Sequence, residues 1–496
     1  MSVVIAVAVP HPPLIVPGVG HGREREVRST ADAYREVARR IAALGPDTVV
    51  VSSPHAAMYL DYLHIAPGSG ARGTFARFGD AADGSRVTYD EELVAELCRL
   101  ARKEGLPAGT RGERDPGLDW GVLVPLHFLQ EAYDERRAAG DEVEPYRVVR
   151  MGVSGLSPLQ HYRMGQLVAR AAEHLGRRVA YVASGDLSHK LAEDGPYGFS
   201  PDGPVFDRLA CDAFSSGDFL PLLSADPGLC ERAAECGLRS FQIMAGALDR
   251  TPVSAELLSY EGPFGVGYGV ACFSPAGEAG SDLDRAFGEK YEAWHAADME
   301  RRRGEEDCLV SLARAALEHR VRTGRRLPLP DDLPEGLLSR RAGAFVSIKK
   351  NGQLRGCIGT IAPTRGNLAE EIAANAVSAG LHDPRFPPVT PDELPELVYD
   401  VDVLGDPEPV EGREGLDPRR YGVIVSAPDG RRGLLLPDLD GIDTVDEQLR
   451  IAARKGGIAL SEEGVAVDGV VFDVRNNTGG NLTNAMHVID YLCPVG

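Results

Sequence analysis

Val3-Val4-Ile5-Ala6-Val7-Ala8-Val9-Pro10-His11-Pro12-Pro13 and Thr48-Val49-Val50-Val51-Ser52-Ser53-Pro54-His55 decide the reading of the first half of this chain. Both are β-branched runs with little polar alternation, the pattern of strands buried on both faces of a parallel sheet. Between them, Arg28 to Ala43 has helical periodicity, with Ala31, Tyr34, Val37, Ala38, Ile41 and Ala42 on one side. Strand, helix and strand make a βαβ unit. Each run ends at a proline followed by a histidine. In an open α/β sheet, ligands bind beyond the carboxyl ends of the strands, and that is where His11 and His55 are delivered. Two neutral imidazoles at such an edge suit Fe, Zn or Mn. A catalytic ion needs a third protein ligand and open positions besides.

The same alternation continues outward. Glu91 to Glu104 reads as a helix, Arg147 to Val153 as a strand, Leu159 to Leu175 as a helix and Val179 to Ser184 as a strand. An apolar segment, Val122 to Leu129, follows Asp119-Trp120-Gly121. Leu229 to Leu248 reads as one helix, and Gly262 to Phe273 as a closing strand. The expected first domain is therefore α/β, a mixed or parallel sheet flanked by helices.

The Val179 strand ends in Gly185-Asp186-Leu187-Ser188-His189. Asp186 there is placed to accept a ring N–H and hold a histidine tautomer. His189 is a ligand or an acid/base beside a metal; an Asp/Ser helix cap with an incidental histidine fits the spacing equally well. The third ligand is open between two neighbours on the expected Leu229–Leu248 helix. Glu235 would complete a two-histidine, one-carboxylate set suited to ferrous iron, whereas Cys236 would supply a soft thiolate and shift the metal preference. An exposed Glu beside a buried Cys is the common structural alternative. His127, in an apolar helix start, stays outside the site.

The chain has 496 residues, more than one core ordinarily serves. Residues 1–276 read as the first domain, 277–306 as a linker and charged helix, and 307–496 as a second, smaller α+β domain. In the second, a helix runs from Asp307 to Arg322, and a strand from Gly343 to Lys349 turns at Asn351-Gly352 into Leu354–Gly359, a strong hairpin signal. Asn367 is placed to cap a helix from Leu368 to Ala379. Strands at Leu397–Leu404 and Gly422–Ser426 and a helix at Val445–Arg454 follow. Cys357 is either a nucleophile or ligand activated by Arg355, or a small buried residue in a hairpin strand. His382-Asp383-Pro384-Arg385 is either an acid/base pair or a turn with a solvated ion pair.

The formal net charge is −21, with 74 acidic against 53 basic residues, which argues against a nucleic-acid or anionic-membrane partner. The eight cysteines form no CxxC pair, which fits reduced thiols and a cytoplasmic setting. Met1 leads into a strand without a basic leader, so no signal peptide is expected. No apolar run reaches membrane-span length. Nothing in the sequence excludes a homo-oligomer.

His11-Pro12-Pro13, Ser53-Pro54-His55 and Gly185-Asp186-Leu187-Ser188-His189, in that order, resemble the catalytic subunits of class III extradiol ring-cleaving dioxygenases and the related Memo-like proteins. The likeness covers roughly residues 1–275. It implies that His11 and His55 bind Fe(II), and that His189 handles the proton of a catechol while O2 is consumed. The dioxygenases use a glutamate as third ligand, which falls around Glu235 to Gly237. Memo-like relatives have a Cys-Gly pair there, which Cys236-Gly237 matches, and copper or another divalent metal then enters consideration. Trp120 stands where the dioxygenases usually have a histidine. Leu354–Gly359, Asn375–Phe386, Tyr421-Gly422-Val423 and Arg432-Gly433-Leu434-Leu435-Leu436-Pro437 resemble the AMMECR family. Fusion of the two modules resembles the AmmeMemoRadiSam system, which implies a radical SAM partner. No radical-SAM cysteine triplet occurs in this sequence, so that chemistry would belong to another chain.

Overall fold

The structure, a computed structural model, describes residues 2–409, 416–435, 442, 444–461 and 465–473. The chain divides into two compact units, Met1–Ala296 and Ala297–Gly496.

Strands of the first unit are β1 (Val3–Val9), β2 (Thr48–Ser53), β3 (Leu63–His64), β4 (Gly70–Thr74), β5 (Gly84–Thr88), β6 (Ala108–Gly109), β7 (Arg147–Gly152), β8 (Val179–Ser184), β9 (Val253–Glu261) and β10 (Tyr268–Pro275). The main sheet has the order β7-β2-β8-β1-β10-β9. β7, β2, β8 and β1 are parallel, and β10 and β9 close the sheet as an antiparallel hairpin. This is the expected mixed sheet.

Successive residues of the central strands enter opposite cores, as the two-residue strand period requires. Ile5, Val7, Val49, Val51 and Val182 pack with helices Arg28–Leu44 and Trp120–Ala138. Ala6, Ala8, Val50, Tyr181 and Ala183 pack with helices Glu91–Glu104, Pro158–Leu175, Asp202–Ser216 and Leu238–Ala247. Both faces being covered explains why these strands carry no polar alternation. The Pro158 and Leu238 helices meet at glycines. A Cβ at Gly165 would fall 1.9 Å from the Ile243 carbonyl oxygen, and one at Gly246 would fall 1.8 Å from that of Tyr162.

Two expectations change. The single helix read across Leu229–Leu248 is two helices, Pro227–Ala233 and Leu238–Ala247. Ala234 breaks the run with φ 54°, and Glu235, Cys236 and Gly237 lie in the turn. Ala234 itself is neither Gly nor Pro; tertiary hydrogen bonds hold the break, among them the N–H of Gly237, at the start of the second helix, to the Asp186 carbonyl at 3.0 Å. The Gly262–Phe273 strand begins only at Tyr268, and its partner β9 carried no signal in the sequence reading.

The second unit holds β11 (Ala344–Lys350), β12 (Gln353–Gly359), β13 (Leu397–Pro409), β14 (Tyr421–Ser426), β15 (Arg432–Leu435) and β16 (Ala466–Asp473). They form an antiparallel sheet in the order β12-β11-β13-β16-β14-β15. Helices Cys308–Thr323 and Leu368–Leu381 bury Leu312, Ala316, Ile372 and Ala376 against Val346 and Ile348. Asn351 and Gly352 both take positive φ, 52° and 75°, as a two-residue hairpin turn of this kind requires. Asn367 caps the second helix through the Glu370 N–H at 2.9 Å. The Leu436-Pro437 end of the last motif and residues 474–496 of the expected second domain lie outside the described residues. Among the described residues, no helix is long and apolar enough to cross a membrane.

Candidate metal centre

β8 lies between β2 and β1, so the segments after these three parallel strands emerge side by side. His11 follows β1 and is buried. Its backbone N–H donates to Asp186 Oδ1 at 2.8 Å, and its Nδ1 lies 3.0 Å from Ser184 Oγ. His55 follows β2. Its N–H donates to Ser53 Oγ at 3.1 Å, and that hydroxyl donates to Asp119 Oδ1 at 2.6 Å. The ring of His55 stacks on Trp120 at 4.0 Å between centroids. With Nδ1 of His11 facing Ser184, the two Nε2 atoms of His11 and His55 meet at 2.8 Å.

Cys236 comes to the same point from the broken helix. Its Sγ lies 3.7 Å from His11 Nε2 and accepts the Asp186 N–H at 3.3 Å. Asp186 Oδ2 is 3.9 Å from Nε2 of both His11 and His189. His189 Nδ1 donates to the Ala234 carbonyl at 2.6 Å, and its ring meets Tyr197 edge-on at 5.4 Å. One donor atom from each of His11, His55 and Cys236 lies within 4.8 Å of the others, and so it is for Asp186, His189 and Cys236. Glu235 belongs to neither group; its carboxylate accepts the Leu238 N–H at 2.7 Å.

The electrostatics favour a bound cation. Burial, with His189 adding to it, lowers His11 to a pKa of about 3. Burial, then His11, His189 and Arg77, lower His55 to about 3. Both imidazoles are therefore neutral at pH 7 with lone pairs to offer. Burial raises Asp186 to about 6 against the opposing His11 N–H bond. The Cys236 thiol is pushed well above its ordinary range by burial, then by Asp186 and Glu235. Cys236 Sγ and His11 Nε2, at 3.7 Å, have the spacing of two ligands of one ion, and the two Nε2 atoms lie slightly closer, at 2.8 Å. Nitrogen and sulfur sharing one ion at about 2.1 and 2.3 Å would lie roughly 3.0–3.7 Å apart.

Residues 5–271 match the model of the catalytic LigB subunit of aromatic ring-opening dioxygenase. The chain belongs to the LigB family. Residues 310–474 match AMMECR1, so a LigB domain is followed by an AMMECR1 domain. The protein CA_C1420 of Clostridium acetobutylicum is 38% identical over 467 residues, which are 92% of this chain and 95% of its own. A Thermotoga maritima protein is 53% identical over 159 residues, 32% of this chain and 91% of its own. Among solved structures, the uncharacterized protein JW3007 from Escherichia coli K12 has a TM-score of 0.37 at 15% identity, covering 54% of this chain and 99% of its own.

In the LigB domain the sequence reading missed Ser184, Tyr197 and the stacking role of Trp120. Ser184 is the last residue of β8, and only the pairing of β8 beside β1 sets it against His11. His127 lies outside the site, with Nδ1 2.9 Å from Asp83.

In the AMMECR1 domain, Cys357 is buried, and burial pushes its thiol up to about 12. Arg355 does not activate it, because that guanidinium is paired with Glu393 at 2.9 and 3.0 Å. The Cys357 N–H donates to Asp383 at 2.9 Å, and Arg385 clasps Asp383 at 2.9 and 2.6 Å. The pair read as solvated is thus built around a buried carboxylate that ties the 382–385 turn to the hairpin.

Proposed function

We propose that the LigB domain is a ferrous-iron-dependent oxidoreductase that uses O2 on a catechol-like or related small molecule. Its protein ligands are His11, His55 and Cys236. The convergence of two Nε2 atoms and one Sγ at adjacent strand ends, in a chain of the LigB family, carries this reading. Bound ferrous iron would supply a redox centre with open positions for the oxygens of the substrate and for O2.

The chain's own groups do the rest. His189 holds its Nδ1 proton on the Ala234 carbonyl, so Nε2 carries the lone pair and accepts the substrate hydroxyl proton. Asp186 Oδ2, 3.9 Å away, stabilises the imidazolium so formed. Trp120 covers one side of the His55 ring and helps to fix its orientation. A reduced thiol ligand suits a cytoplasmic setting.

A second reading is favoured by Cys236 itself. A thiolate in place of a carboxylate suits copper(I) as well as iron. The domain would then be a diverged, Memo-like iron or copper protein, with the AMMECR1 domain docking a partner such as a radical SAM protein. Anaerobic reconstitution with Fe(II), followed by a panel of catechols and O2, separates the two. Yellow ring-fission products that are lost with His11→Ala support the first. A metal-loaded protein inert to every catechol supports the second.

A further inference from the structure

We propose that Arg150 is a positioning residue for the metal centre: from the edge strand β7 it holds the 113–117 segment, and through that segment the Asp119 and Trp120 that fix His55. This rests on the metal-centre reading above and goes beyond it to a residue outside the donor set.

Arg150 is paired across the sheet with Val51 of β2, the strand that leads to His55. Its side chain is only 4% exposed. An arginine buried to that degree needs partners, and its side-chain partners lie in one segment. Nη2 donates to Glu113 Oε2 at 2.9 Å and to the Asp115 carbonyl at 3.2 Å, and Nη1 donates to the Gly117 carbonyl at 2.5 Å. Residues 110–119 form neither helix nor strand, so the segment has no ladder to satisfy its carbonyls. The planar guanidinium does so with a fixed fork of donors.

The held segment runs directly into the site. Two residues past Gly117, Asp119 accepts the Ser53 hydroxyl at 2.6 Å, and Ser53 Oγ accepts the His55 N–H at 3.1 Å. The next residue, Trp120, stacks on the His55 ring at 4.0 Å. Arg150 also acts on Asp119 by charge. Burial raises that carboxyl, and the Ser53 bond and then the Arg150 charge oppose the rise. An ionised Asp119 only accepts, which commits the Ser53 proton to it and leaves the Ser53 oxygen for the His55 N–H. One buried cation thus orders two contacts of a metal ligand while standing outside the donor group.

The chain has two tryptophans, Trp120 and Trp294, so the full chain with Trp294→Phe reports on Trp120 alone. In this parent, Arg150→Met is made together with Glu113→Gln. Removing both charges leaves no buried ion unpaired, which spares the fold. Acrylamide should quench Trp120 more strongly in the metal-free double variant than in the parent. Its Fe(II) affinity, read by anaerobic chelator competition, should fall about tenfold or more. Arg150→Lys keeps the charge without the fork and should fall between the two. Leu100→Ala, in the opposite core, is the control for lost stability. It should lower the thermal midpoint and leave quenching and affinity at parent values. Parent-like quenching or parent-like affinity in the double variant overturns the proposal, and so does an equal loss in Leu100→Ala. Should the double variant fail to fold, Arg150→Lys is judged by the same two readouts. A parent that binds no Fe(II) removes the metal reading, and the quenching comparison then decides the role of Arg150 by itself.

Discussion

Nε2 of His11 and Nε2 of His55 face each other at 2.8 Å, inside a site where both imidazoles are held neutral. Two such lone pairs repel unless one proton or one cation lies between them. His11 has its Nδ1 against Ser184, which leaves Nε2 as the free ligand atom. Cys236 Sγ, 3.7 Å from His11 Nε2, adds the third donor.

Metal binding should release a proton, and the proton should come from Cys236. The histidines have none to lose at pH 7, because their pKa values are lowered to about 3. The Cys236 thiol is raised and stays protonated until an ion displaces the proton. Apparent affinity should therefore climb about tenfold per pH unit through neutrality. Calorimetric titration in buffers of different ionisation enthalpy should count about one proton per ion. Cys236→Ser should lower both affinity and release; unchanged release in that variant would assign the ligand elsewhere.

Ser184→Ala should weaken metal binding by about 10–100-fold, the usual cost of removing a partner from the far nitrogen of a ligating histidine. Ser184 touches His11 Nδ1 at 3.0 Å and is not in the donor group. Competition against a chromophoric chelator would read the loss. Wild-type affinity in the variant would show that burial alone orients the His11 ring.

Much of this was legible in the sequence, for a physical reason. Strands buried on both faces must be apolar throughout, so β1, β2 and β8 stood out, and the residues just past their ends followed from the fold rule. Asn351-Gly352 and Asn367 acted locally and were readable for that reason. The Ala234 break was not, since no local residue demands it. The turn is held by contacts with Asp186 and His189 from another strand end. Without the break, the choice between Glu235 and Cys236 had no basis in helical periodicity. Trp120 was visible only as a departure from a family pattern, because its stacking on His55 joins two distant loops.

Gly185→Ala should loosen the whole site. A Cβ at Gly185 would fall 2.1 Å from the Gly237 Cα, and that neighbour is backbone that cannot swing aside. The two touching segments carry Asp186 and His189 on one side and Cys236 on the other. Overpacking of this kind costs about 1–3 kcal/mol, occasionally more. Thermal denaturation should show a lower midpoint, and chelator competition a weaker metal site. A variant matching wild type in both measurements would mean that the backbones separate without consequence.

Glu393 should make the AMMECR1 hairpin acid-sensitive. Burial by itself would raise its carboxyl, but the Arg355 bonds, the Thr390 N–H and the charges of Arg355 and Lys350 outweigh this and hold it down to about 2, against an ordinary 4.5. A carboxyl lowered in the folded state stabilises it above the unfolded pKa, and the contribution fades as pH falls through the folded value. The window here runs from about 4.5 down to about 2. Glu393→Gln should thus destabilise the hairpin at pH 7 by roughly 1–3 kcal/mol, with the difference from wild type shrinking across that window. Hydrogen exchange of the β11 and β12 amides, compared at neutral and acid pH, would measure it. A variant whose deficit stays constant down to the acid end would trace the effect to packing, with Arg355 holding no charge-dependent grip on Glu393.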